Sequence, residues 1–238
     1  EAWRQERLAR ETQIKEDAEQ AIKLLTDAHK WERYYSWLAI DKIAGQYWRE
    51  AGIPDEFWWN KWKLGYDPNH KFLFDTGDGW KEHYTATATI AVRDITERIV
   101  NIKHRLLNPF QGVKYRMEYR TNTEPVFIAN LNAETDFAVI CEGEKKAAVT
   151  WLTIDSPKVQ AYGLPKNPSE EMLTAIKKKT IIDILDPDVK PRDIQRKREV
   201  FAGVDYRYIQ LSNKIDDMIL TAELDKDDLR AIMRQARR

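Results

Sequence analysis

Phe137-Ala138-Val139-Ile140-Cys141-Glu142-Gly143-Glu144-Lys145-Lys146 and Thr180-Ile181-Ile182-Asp183-Ile184-Leu185-Asp186-Pro187-Asp188 are the two stretches that decide the fold. Each opens with a short, largely apolar run with no polar alternation, the mark of a strand covered on both faces. Each then turns, at Gly143 or Pro187, toward a helical pattern. The same beat recurs along this half of the chain: a helix over 144–153, a strand over 159–162, a helix over 169–178, the strand over 180–185, a helix near 192–202 and a strand over 206–209. Such alternation predicts an α/β domain with a mainly parallel sheet flanked by helices, and ligands at the carboxyl ends of its strands. Residues 215–220 and 224–238 read as two further helices, the last ending basic.

Upstream the pattern differs, which makes the whole chain α+β. Residues 1–30 are dense in charge, and Ile14, Ala18, Ala21, Ile22 and Leu25 recur near every 3.6 residues, as on an amphipathic helix that leaves Leu8 off its apolar face. Six of the nine tryptophans fall between 31 and 62. There the Gly52-Ile53-Pro54-Asp55-Glu56 turn predicts two helices, with Pro54 at a first helical position. The tryptophans read as a small helical core, with a base-stacking platform as the competing reading. From about 72 the period becomes two, in 85–92 and 99–107, joined by a polar turn over 94–98: an antiparallel hairpin. The expected division is 1–70 helical, 71–133 a basic β-hairpin subdomain, and 134–238 the α/β domain.

Composition narrows the chemistry. With 39 Lys+Arg against 39 Asp+Glu the chain is no uniformly basic coat, so any polyanion site is a local patch. One cysteine, Cys141, excludes an internal disulfide and a cysteine-rich zinc ribbon, and the four histidines show no HExxH pattern. Apolar runs fall far short of the ~20 residues a membrane helix needs, and the expectation is a soluble cytoplasmic protein without a membrane partner. Carboxylates holding a hard divalent cation, Mg²⁺ or Mn²⁺, are the chemistry left open.

Glu142 stands at a strand's carboxyl end, and Asp186 and Asp188, two residues apart in extended chain, point to one side. Glu144 follows closely, and Asp216 and Asp217 open a later helix. Each has an ordinary alternative as a helix cap or turn residue. A basic segment lies over 97–120: Arg98, Lys103, Arg105, Lys114, Arg116 and Arg120 against Glu97 and Glu118, a local balance of +4. It can track a nucleic-acid backbone, or it is a solvated hairpin face. A second basic run spans 190–198, and Cys141 reads as inert core.

In their order, strand-Glu-Gly-Glu and strand-Asp-Pro-Asp resemble the TOPRIM domain of bacterial-type primases, topoisomerases and OLD-family nucleases. Upstream, WREAGIPDEFWWNKWKLGYDP (48–68) is similar to a helical element of DnaG-type primases, VRDITERIVNIKHRLL (92–107) to their hairpin, Lys114-Tyr115-Arg116 to their basic segment, and Pro125-Val126-Phe127 to the Pro-x-Phe before TOPRIM. The resemblance spans about 40–220 and is to a divergent primase catalytic core of the phage or mobile-element kind. It implies primer synthesis from ribonucleoside triphosphates on single-stranded DNA, with a replicative helicase as a partner. Glu142, Asp186 and Asp188 would be catalytic and, with Glu144 and Asp216, hold the metal. Arg98, Lys103, Arg105, Lys114, Arg116, Arg120 and Lys146 would contact nucleic acid or nucleotide. The chain departs from that pattern at Lys146, where the family carries an acidic residue, and it lacks an Ala-Gly after Asp188. A TOPRIM nuclease and a non-catalytic nucleic-acid-binding module are the alternatives.

Overall fold

The computed structural model describes residues 2–27, 29–119, 121 and 124–237. The chain gathers into two compact units, residues 1–92 with 99–123 and residues 93–98 with 124–238.

The first unit begins with helices α1 (Ala2–Asp27), α2 (Lys30–Ile40), α3 (Lys42–Glu50) and α4 (Glu56–Trp62). On α1, Ala18, Ala21 and Leu25 are buried and Leu8 is exposed, as the spacing predicts; the side chain of Ile14 lies outside the described residues. The stretch expected as two helices is three, because Asp41 interrupts it. Its carboxylate accepts from the amides of Ile43 (2.8 Å) and Ala44 (3.1 Å), two donors the new helix would otherwise leave unpaired. Asp55 caps α4 likewise, accepting from the Trp58 amide, so Pro54 lies ahead of the cap rather than in the first turn. Trp48, Trp59 and Trp62 are buried, and the Trp59 indole donates to the Ile53 carbonyl at 3.0 Å, which satisfies its polar edge inside a helical core.

Strands β1 (Leu64–Asp75), β2 (Trp80–Arg93), β3 (Ile99–Phe110) and β4 (Val113–Met117) form a sheet in that order. β1 starts earlier than the alternation announces. Gly65 and Pro68 mask it, and Pro68 is accommodated where the register shifts between Asp67 and His70. The turn between β2 and β3 belongs to the second unit. Arg93 and Val126 exchange backbone hydrogen bonds of 2.9 and 2.8 Å, and Glu97 accepts from the Asn132 amide and the Gln160 side chain.

The second unit runs β5 (Phe127–Ile128), β6 (Phe137–Glu142), α5 (Glu144–Ile154), β7 (Gln160–Leu164), α6 (Glu170–Ala175), β8 (Thr180–Leu185), α7 (Pro191–Val200), β9 (Asp205–Gln210), α8 (Ile215–Leu220) and α9 (Lys226–Arg234). Sheet order is β5-β7-β6-β8-β9, parallel except for β5. From β6 the chain steps one way to β7, then crosses to β8 and on to β9. Right-handed crossovers therefore place α5 on one face and α6 and α7 on the other. Accordingly α5 packs with α8 and α9, and α6 with α7. Ile140, Tyr162, Ile181 and Tyr206 meet Leu173 and Phe201 in one core cluster.

Two glycines set the start of α5. Gly143 has φ 88° and ψ 160°, a conformation side chains resist, and its amide donates to the Leu164 carbonyl at 2.8 Å. A Cβ on Gly163 of β7 would lie 2.6 Å from the Gly143 carbonyl oxygen and 2.9 Å from Glu144 Cα, both backbone atoms. Gly163→Ala is therefore expected to lower stability by about 1–3 kcal/mol, read as a reduced urea midpoint at unchanged slope by far-ultraviolet circular dichroism. An unmoved midpoint would mean that the backbone approach is dispensable.

Candidate active site

Strand order reverses around β6: its neighbour β7 begins one branch of the sheet and β8 the other. Open α/β sheets bind ligands at such a switch point, outside the carboxyl ends of the strands. Glu142 is the last residue of β6, and Asp186 follows β8 directly. With Asp188 they line one cavity of about 460 Å³, which Lys166, Lys190 and Lys197 also line. Glu144 and Asp216 do not line it.

The carboxylates differ in their partners. Asp186 is buried and ion-paired with Lys146, whose side chain is only 12% exposed. Asp188 reaches Lys166 at 3.3 Å, with both side chains about two-thirds exposed. The hydrogen bond from Lys166 holds the Asp188 carboxyl below its ordinary range. Asp216 pairs with Lys145 at 2.7 Å, and its other oxygen, Oδ1, is buried without a hydrogen-bond partner. Glu142 is half-buried and makes no side-chain hydrogen bond or ion pair among the described residues. As oxygen donors for a hard divalent cation, Glu142 and Asp188 are available, whereas Asp186 already carries a buried counter-charge.

The sequence reading missed Asp183, a carboxylate inside the run Thr180-Ile181-Ile182-Asp183-Ile184-Leu185. It is 1% exposed and accepts from Lys197 at 2.7 Å and Tyr206 at 2.8 Å. Burial, reinforced by Asp183, pushes the Tyr206 hydroxyl up, so it remains a donor. A charged residue in an otherwise apolar strand is the signal that could have found it. Burial also pushes the Cys141 thiol up to about 12, which leaves it inert.

The basic residues fall into separate groups. Arg98 lies in the turn of the second unit, paired with Asp94 at 3.1 Å. Between β3 and β4 the register sets Lys103 against Met117, His104 against Arg116 and Arg105 against Tyr115. Lys103 and Arg105 thus share a face with Tyr115, over whose ring they sit at 4.6 and 4.7 Å. Lys114 and Arg116 belong to the other face, where Arg116 covers Phe72 at 4.8 Å. Arg120 lies outside the described residues.

That second face carries a buried network the sequence did not announce. Ligand-type atoms of Asp67, His70 and His104 lie within 4.8 Å of one another. Both nitrogens of His104 are committed, however: Nε2 to Glu118 at 2.7 Å and Nδ1 to Thr87 at 2.9 Å. Lys30 and Tyr34 complete the shell around Glu118. Burial holds His104 below the ordinary imidazole range. It also opposes ionisation of Glu118, but the hydrogen bonds from His104 and Lys30 outweigh it and hold that carboxyl at about 2. The network is satisfied by protein groups alone.

No protein-family model matches the sequence, and no curated protein sequence matches it. Solved structures share the fold. The Aquifex aeolicus primase (zinc-binding and RNA polymerase domains) gives a TM-score of 0.71 at 17% identity, covering 94% of this chain and 62% of that one. This chain therefore spans 62% of the length of that solved chain. A DnaG primase catalytic domain bound to single-stranded DNA gives 0.71 at 17% identity, covering 92% and 82%. The E. coli primase catalytic core gives 0.68 at 16%, covering 88% and 78%. The chain has the mixed α/β fold of DnaG-type primase catalytic cores.

Two outcomes are expected from the charge arrangement. His104 has a lowered folded pKa, so the unfolded chain binds its proton first and stability falls as pH drops below about 6.5. Glu118 contributes stability above its ordinary 4.5 and loses it as pH falls toward about 2. Urea unfolding followed by tryptophan fluorescence should show both losses on acidification, since eight of the nine tryptophans lie in the first unit. Glu118→Gln should remove the lower one, and a pH-independent midpoint would contradict the network. Separately, Lys146→Met leaves a buried carboxylate uncompensated and should cost about 3–5 kcal/mol, whereas Lys166→Ala, from an exposed pair, should leave the melting temperature unchanged. Equal effects would refute the contrast in burial.

Proposed function

We propose that this chain is the nucleotidyl-transfer core of a primase, joining ribonucleotides on a single-stranded DNA template. The observation that carries the reading is the placement of Glu142, Asp186 and Asp188 around one cavity at the switch point of a sheet whose fold is that of primase catalytic cores. A bound Mg²⁺ or Mn²⁺ would promote attack by the primer 3′-hydroxyl and offset charge on the departing pyrophosphate. Glu142 and Asp188 are the residues to hold it, and Asp186 is paired with Lys146. Lys166, Lys190 and Arg192 line the same cavity and offer cations to the oxygens of a triphosphate. In the first unit, Lys103 and Arg105 flank Tyr115, a combination of charge and ring suited to a single strand.

This reading takes ribonucleoside triphosphates as substrates and a replicative helicase as the expected partner in the cytoplasm. No helix of the described residues is long and apolar enough to cross a membrane. One observation, Lys146 on Asp186, favours a second reading, a nucleic-acid-binding module without turnover.

The test is incubation with single-stranded DNA, labelled ribonucleotides and Mg²⁺ or Mn²⁺, with products resolved on a denaturing gel. Short template-dependent RNA is expected, falling on the order of 10²–10³-fold in Asp188→Asn and in Glu142→Gln, as when a group that stabilises charge in the transition state is removed. DNA bound without product would select the second reading, and DNA shortened without synthesis would select a nuclease.

A further inference from the structure

We propose that Lys146 is a resident counter-cation, its ammonium taking the place at Asp186 that a divalent ion would otherwise take, so that the cavity binds one such ion, at Glu142 and Asp188. The inference rests on the reading of this edge as a metal-dependent site, and it says how that site is charged.

Three aspartates of the cavity each have a lysine, Asp186 with Lys146, Asp188 with Lys166 and Asp183 with Lys197, while the fourth, Asp193, stands in the first turn of α7 and faces Arg192 at 3.6 Å. These pairs are not equally durable. Side chains of Lys146 and Asp186 are 12% and 8% exposed, so water and salt screen their attraction little, and displacing the lysine would leave a buried charge uncompensated. Lys166 and Asp188 are 67% and 68% exposed and 3.3 Å apart, a screened pair that an arriving cation can replace. Asp183 is closed off by Lys197 and Tyr206. At the strand ends that leaves Glu142, with no hydrogen bond or ion pair among the described residues, and Asp188, with an exchangeable one. Two carboxylates balance the charge of one divalent ion. A second ion at the strand ends would need Asp186, and Lys146 already neutralises it. The lysine charge is present at any divalent-ion concentration, so ion binding is expected to be non-cooperative.

The test counts Mn²⁺ bound to the full chain at pH 7.5 by electron paramagnetic resonance of the free ion. Wild type should bind one, with a Hill coefficient of one. Asp186→Asn should still bind one, within threefold of the wild-type Kd, whereas Glu142→Gln should lose it. Lys146→Gln should bind two, and adding Asp186→Asn to it should return the count to one. The double variant carries no unbalanced buried charge, and circular dichroism checks the fold of each protein. Should Lys146→Gln be unfolded, the comparison of wild type, Asp186→Asn and Glu142→Gln still decides. Two ions or none in wild type, loss of the ion in Asp186→Asn, or one ion in a folded Lys146→Gln would each overturn the proposal. RNA synthesis by the same preparations separates the two ideas. One bound ion without synthesis sinks the primase reading and leaves Lys146 its role, while synthesis with two ions in wild type does the reverse.

Discussion

Gly163 lies against the carbonyl of Gly143 with no space for a methyl group between them, and the carboxyl edge of the second sheet is organised by that contact. It holds the first turn of α5 down on β7, while Gly143, in a backbone conformation closed to other residues, turns the chain from Glu142 into the helix. The consequence is electrostatic. Lys145 and Lys146, consecutive in that first turn, diverge to Asp216 of α8 and to Asp186 after β8, and so tie two elements to one helix end. A helix set further from the sheet would strand Asp186 as a buried charge without a partner, a cost comparable to much of a domain's net stability.

The site is therefore less acidic than its sequence suggests. Burial, rather than the number of carboxylates, decides which of them can meet a ligand. Asp183 is the most enclosed and anchors the cavity wall by joining α7 to β9 through Lys197 and Tyr206. Asp186 is fixed by a lysine that solvent barely reaches, and Asp188 faces water. A neutral chain of equal acidic and basic counts thus builds an edge of graded availability, where Glu142 and Asp188 are the groups at the strand ends left for an incoming cation.

The parallel half of the fold was legible because its strands are short apolar runs separated by helical periods, a signal that depends on burial on both faces and on little else. The first unit was less so. Asp41 reads as one more polar residue on a continuous helix until its carboxylate is seen accepting two amides, and β1 begins at Leu64 but carries a glycine at its second position and a proline that the bulge between Asp67 and His70 absorbs. At the cavity, Glu142, Asp186 and Asp188 could be found as carboxylates at strand ends. Their lysines could not, since Lys146 lies forty residues from Asp186 in sequence and meets it only through the crossover of the sheet. Asp183 was hidden by treating its strand as uniformly apolar.

The basic hairpin shows the same limit from another side. Counted along the sequence, residues 97–120 make one positive segment, yet a strand sends alternate side chains to opposite faces and the register then decides which charges are neighbours. Lys103 and Arg105 gather over Tyr115, on a face where cations and a ring stand together. Arg116 turns the other way, over Phe72 and next to the strand position of His104, whose network with Glu118, Lys30 and Tyr34 is a structural commitment of the unit's interior. In the proposed function, affinity for a template strand then comes from the first face. Charge on the second contributes through the stability of the sheet that presents it, so substitutions on the two faces act by different physical routes although they are neighbours in sequence.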